Sequence, residues 1–139
     1  MRVTLSGEAL RVAGVVEEET DATVRDCLVQ DERVVVLVGA GEMARAIGAG
    51  GEHVRRVERR LGTDVKLVED ARRPEAFVAN TLAPAAVYNV TISEGEETIA
   101  YAEVDREDRG VAIGADGQNI DTARTLAKRH HGIDDIELA

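Results

Sequence analysis

The hexapeptides Ala46-Ile47-Gly48-Ala49-Gly50-Gly51 and Ala112-Ile113-Gly114-Ala115-Asp116-Gly117 lie 66 residues apart and differ only at their fifth position. Under the same shift the apolar run 34–38 falls on 100–104, and Val54 falls on Ile120. A 139-residue chain that repeats itself once has room for two half-sized domains, each with a small core of its own. An apolar content of 44% is enough to fill them.

The segments flanking each hexapeptide take the same order. Ser6 suits the N-cap of a helix carrying Leu10, Val12, Ala13, Val15 and Val16 to about Glu18, although Glu17, Glu18 and Glu19 oppose the macrodipole at its end. Residues 23–29 and 33–38 read as a hairpin across Gln30-Asp31-Glu32. A short helix over 42–47, the glycine turn, and a helix over 52–61 with Val54, Val57 and Leu61 on one face come next. Gly62 ends that helix and 65–68 makes a strand. The second copy opens at Pro74, a favourable first helical residue, with Phe77, Val78 and Leu82 before the stop at Pro84. Strands over 87–92 and 98–104 follow, then the second glycine turn, a helix to about His131 that is one turn longer than its counterpart, and a strand over 136–138. The chain is thus expected to divide into domains 1–70 and 74–139 joined by a short link at 71–73, each α-β-β-α-α-β.

A second glycine motif overlaps the first copy. Gly39-Ala40-Gly41-Glu42-Met43-Ala44 follows an apolar strand and fits G-x-G-x-x-G/A, which makes a dinucleotide-binding enzyme working through Gly39 and Gly41 an alternative reading. The repeat weighs against it: Gly39 and Gly41 fall on Asp105 and Glu107, whereas Gly48 and Gly51 fall on Gly114 and Gly117. A dinucleotide fold also needs an unbroken crossover helix where Gly48 to Gly51 interrupts. Glycines at both ends of a turn between short helices let a sugar-phosphate backbone approach closely, and amides at the next helix start can meet phosphate.

Other chemistries lack their residues. The single cysteine, Cys27, sits among Val24, Leu28 and Val29 as a small buried hydrophobe, and His53, His130 and His131 have no partners at metal spacing. No Ser/His/Asp or Cys/His constellation is present, so no catalytic residue, metal or cofactor is expected. Without an 18-residue apolar stretch or an apolar N-terminal segment, the chain reads as cytoplasmic and away from membranes. Its 27 acids against 17 bases give a net charge of −10, and only Lys66 and Lys128 are lysine. That surface suits a halophile, because molar salt screens charges beyond about 3 Å and selects for hydrated carboxylates.

At Ala46-Ile47-Gly48-x-x-Gly51 with Val57-Glu58 and Leu61-Gly62, at Leu82-Ala83-Pro84-Ala85, and at Ala112-Ile113-Gly114-x-x-Gly117-x-Asn119-Ile120 with Ala127-Lys128-Arg129 and Gly132-Ile133-Asp134-Asp135, the sequence resembles archaeal NusA-like transcription factors. The resemblance covers nearly the whole chain. It implies an α+β fold of two tandem prokaryotic-type (type II) KH domains, each a three-stranded sheet covered by helices. It also implies non-enzymatic binding of single-stranded RNA, the nascent transcript, during elongation or termination, with RNA polymerase or other transcription factors as further partners.

Carried onto this chain, the resemblance places RNA at Ile47, Gly48, Ala49, Gly50 and Gly51 and at Ile113, Gly114, Ala115, Asp116 and Gly117. Related loops usually carry a base where Ala49 and Ala115 stand, and Asp116 adds an acid. In molar salt that loss matters little, since counterion release then contributes little to binding. Positive charge follows the loops instead: 52–60 holds Arg55, Arg56, Arg59 and Arg60 against two glutamates, and 118–131 holds Arg124, Lys128 and Arg129 against Asp121. Arg55, Arg56, Arg59, Arg124 and Lys128 are therefore candidate phosphate contacts, with a solvated helix face paired as Glu52 with Arg56 as the plainer reading. Gln118 and Asn119 read equally as base-edge readers or helix caps. With only Phe77, Tyr88 and Tyr101 there is no aromatic platform, and the two tyrosines read as core or cross-strand residues. The absence of bases from both loops leaves a third reading, a protein-interaction module with weakened RNA binding.

Overall fold

The computed structural model describes residues 5–139; the first four residues, expected in the first domain, lie outside the described residues. The chain forms two compact units, one ending at Asp70 and the other running from Ala71 to Ala139.

In the first unit α1 spans Gly7–Thr20, β1 Val24–Val29, β2 Arg33–Val38, α2 Met43–Ile47, α3 Glu52–Leu61 and β3 Asp64–Glu69. Ser6 caps α1 by accepting from the Ala9 amide. The acidic end of α1 is answered from another element: Arg60 of α3 lies 2.9 Å from Glu18 and 3.8 Å from Glu19. Thr20 Oγ1 also donates to the Val16 carbonyl, and Asp21 takes the left-handed conformation that closes the helix. β2 is central, antiparallel to β1 and parallel to β3. Val34, Val36 and Val38 alternate onto the helix-covered face and pack with Val12, Val16, Ala46 and Val57.

The second unit repeats the plan with α4 Pro74–Thr81, β4 Val87–Glu94, β5 Thr98–Val104, α5 Arg109–Ile113, α6 Gln118–His131 and β6 Asp135–Leu138. Its sheet order is β4-β5-β6, again antiparallel then parallel. β4 runs two residues past the expected end at Ile92, because Ser93 and Glu94 pair with Ile99 and Thr98 and leave only Gly95 to Glu97 for the turn. Both hairpins carry the same bulge, at Val24/Asp26 and at Val87/Asn89.

Tyr88 departs from the core reading: it is 68% exposed, and its hydroxyl donates to the Asp105 carboxylate across the β4–β5 end. Tyr101 faces Thr91 across the ladder, and Cys27 is buried as expected.

Candidate nucleic-acid interface

The two glycine turns have the same backbone. Gly48 and Gly114 sit at φ 76, ψ 169 and φ 77, ψ 169, a region open essentially to glycine alone. The third loop residue is left-handed in both, as Gly50 at φ 61 and Asp116 at φ 55, and Gly51 and Gly117 follow at φ 79 and φ 77. The Gly51 amide donates to the Gly48 carbonyl at 3.0 Å, and Gly117 to Gly114 at 3.1 Å. A side chain at either first glycine would collide, since a Cβ on Gly48 falls 2.9 Å from the His53 backbone nitrogen and one on Gly114 falls 2.9 Å from that of Asn119.

The same two residues brace the turns. The His53 ring donates through Nδ1 to the Arg45 carbonyl at 2.8 Å, a contact that requires the proton on Nδ1 because a carbonyl only accepts. Asn119 Nδ2 donates to the Val111 carbonyl at 2.8 Å. Before each turn one alanine is fully buried, Ala46 or Ala112, while Ile47 and Ile113 stay 38% and 39% exposed beside the glycines.

Gly39 and Gly41 are occupied with the strand end. The Gly39 amide donates to the Thr23 carbonyl, a Cβ there would strike Glu42 Oε2, and the Gly41 amide donates to Glu69 Oε2 at 2.9 Å. Asp105 occupies the place of Gly39 in the second unit and makes the same bond, to the Ala86 carbonyl. Glu42 and Asp108, also equivalent, each accept from the amide just before the first strand, Thr23 or Ala86. These glycines thus belong to a turn that the repeat builds equally well without them.

The candidate bases divide between the units. Arg55 Nη1 donates to the Gly50 carbonyl at 2.6 Å, which holds its guanidinium over the first loop. Arg56 pairs with Glu52 in the expected i,i+4 arrangement. Arg55 and Arg59 line a shallow groove of about 360 Å³ at the end of α3, together with Gly62 and Thr63 and the acids Glu58 and Asp64. In the second unit Arg124 donates to the Ile136 carbonyl and pairs with Asp121 and Asp135 at 3.1 and 2.8 Å. Lys128 pairs with Asp134, which also accepts from the Thr98 amide at 2.8 Å. That lysine, and next the Thr98 amide, hold the Asp134 carboxyl below its ordinary range. Gln118 begins α6, while Ala49 and Ala115 leave the loop tips without a cation. Among the described residues no cluster of His, Cys, Asp or Glu is placed to hold a metal, and no helix is long and apolar enough to cross a membrane.

The sequence had no means of finding two features. One is the pair of braces, although the repeat already aligned His53 with Asn119. The other is the fate of Arg124 and Lys128, whose partners Asp134 and Asp135 lie beyond the helix that carries them.

Residues 74–138 match the NusA-like second KH domain family, and residues 12–72 match the KH domain family. The probable transcription termination protein NusA of Halobacterium salinarum is 61% identical over 138 residues, covering 99% of both chains. The protein of the same name from Halococcus morrhuae is 60% identical over the full length of both. That of Methanocaldococcus jannaschii is 30% identical and is matched over 75% of its length. Among solved structures, the crystal structure of APE1850 superposes with a TM-score of 0.80 at 28% identity, covering 97% of this chain and all of that one. The relatives at 60% identity come from halophilic archaea, in keeping with the acidic, lysine-poor sequence. End-to-end similarity, two KH domains and the doubled α-β-β-α-α-β fold lead to one conclusion: the chain belongs to the NusA family.

Proposed function

We propose that this protein is a non-enzymatic, cytoplasmic transcription termination or elongation factor that binds single-stranded nascent RNA, with the loop Gly48–Gly51 as its principal phosphate contact. The observation that carries the reading is the first loop itself: a glycine turn that admits a close backbone, with the Arg55 guanidinium held over it and Arg59 one turn further along α3. The names of the relatives supply the process, termination of transcription, and RNA polymerase is the partner that process implies. The second loop contributes shape and the exposed Ile113 but little charge, because Asp116 stands in it and Arg124 and Lys128 face carboxylates. The dinucleotide alternative loses support from Glu69, whose carboxylate takes the Gly41 amide that a phosphate would need.

Fluorescence anisotropy with labelled single-stranded RNA, in a KCl series up to molar, tests this. Gly50→Asp is a mild probe, because Asp116 holds the same backbone conformation in the second loop and the site of a Cβ at Gly50 is open. Binding that persists at high salt and weakens several-fold in Gly50→Asp is expected, with NADH giving no signal. No RNA binding at any salt overturns the reading in favour of a protein-interaction module.

A further inference from the structure

We propose that His53 and Asn119 are positioning residues that lock the two glycine turns in the shape that receives RNA, and that what each position requires is one nitrogen donor a single bond beyond Cγ. The inference rests on the RNA-binding reading only for its consequence, since the brace itself is a feature of the folded chain.

Each residue stands five places after the first glycine of its turn and donates to the carbonyl three places before that glycine, at the same 2.8 Å. Each also lies where a Cβ on that glycine would be: His53 Cγ would be 2.6 Å away and Asn119 Cγ 3.1 Å away. The accepting carbonyls, of Arg45 and Val111, belong to helices of five residues. Helices that short cannot hold themselves, and their last carbonyls lack intrahelical partners. A side chain returning from the next helix satisfies such a carbonyl and ties the two helices together across the turn. Histidine Nδ1 and asparagine Nδ2 are both attached directly to Cγ, which explains how two different residues make one bond. Asn119 is in this account a brace through Nδ2, which turns its expected base-edge or capping role into a supporting one.

The test uses the full chain with His53→Leu and Asn119→Leu, which keep branching at Cγ but donate nothing, and the exchanged pair His53→Asn and Asn119→His. Amide hydrogen exchange at Gly48, Gly51, Gly114 and Gly117 is read without RNA, and RNA affinity is read by anisotropy. Loss of one net hydrogen bond predicts exchange in the affected turn faster by about 3- to 10-fold in the leucine variants. For His53→Leu, RNA affinity should fall by a similar factor. The exchanged variants should stay within about twofold of wild type on both readouts, a rescue that a filler role would not produce. Unchanged exchange in the leucine variants overturns the proposal, as does fast exchange in the exchanged pair. Should a leucine variant lose protection throughout its unit, the exchanged pair decides alone. A wild type that binds no RNA removes the functional reading while the exchange data still judge the brace.

Discussion

The two glycine turns share one backbone and differ in the chemistry around it. Gly48–Gly51 has glycine at its third position and arginines on the helix that follows, one of them bonded to the loop carbonyl. The second turn has Asp116 there, and its downstream bases reach to Asp121, Asp134 and Asp135. Repetition of sequence thus preserved a shape while charge was distributed unequally. Shape depends on a few glycines and one bracing nitrogen. Net charge at a site depends on every acid within reach, and in an acidic protein those acids are plentiful.

The largest effect should come from the element the turns share. Gly48→Ala and Gly114→Ala each force a Cβ against a backbone nitrogen at a φ that L-residues avoid, which should cost about 1–3 kcal/mol in either case. Chemical denaturation of the two variants side by side checks the equivalence. A variant within about 0.5 kcal/mol of wild type would show that its turn is not held as its twin is.

Charge at the third loop position comes next. Asp116→Gly makes the second turn identical to the first, and RNA affinity below 0.2 M salt should rise by about 2- to 5-fold, the scale of one surface charge interaction. The gain should vanish in molar KCl, where screening acts within about 3 Å. A gain that persists at high salt would mean that backbone shape, and not charge, separates the loops.

The arginines sharpen the same contrast. Arg59→Ala should lower the salt slope of RNA binding by about 0.7, the value for one phosphate contact on a single strand, with an unchanged denaturation midpoint. Arg124→Ala should do the reverse, since its guanidinium holds the Ile136 carbonyl and Asp135 at the start of β6. If Arg124→Ala reduces the slope as Arg59→Ala does, the second unit also contributes a phosphate contact.

The smallest effect belongs to Asp134. Its carboxyl titrates lower in the folded protein than in the unfolded chain, so its contribution to stability is complete above about pH 4. That contribution should disappear as pH falls through the depressed folded value. In the first unit Thr63 stands where the second has Asp134, just before the last strand, and Lys128 lies in the part of α6 that extends beyond the length of α3, so the first unit lacks this pair. Acid denaturation of Asp134→Asn should therefore show a shallower loss of stability below pH 4 than wild type, with unit-specific amide exchange placing the difference in the second unit. An identical pH profile would show that the Lys128 pairing adds no stability.

Much of this is legible in the sequence. Helix starts at Ser6 and Pro74, helix stops at Gly62 and Gly132, the hairpins and the paired turns all rest on residues a few places apart, whose conformational preferences act locally. The repeat resolved the competition between two glycine motifs, because only one of them recurs. Tyr88 meets the cross-strand half of its expectation and not the core half, because alternation along a strand gives the face of a residue but not whether anything covers that face.

The sequence by itself determined the α-β-β-α-α-β order and the location of two turns that only glycine can close, since periodicity and backbone sterics are properties of neighbouring residues. Tertiary structure decided that β2 and β5 are the central strands, that Glu69 takes the Gly41 amide, that Asn119 braces its turn, and that Arg124 and Lys128 are paired while Arg55 reaches the first loop. Those outcomes follow from which long side chains meet once the chain is folded, and charge and hydrogen bonding act across distances in space that spacing along the chain does not encode.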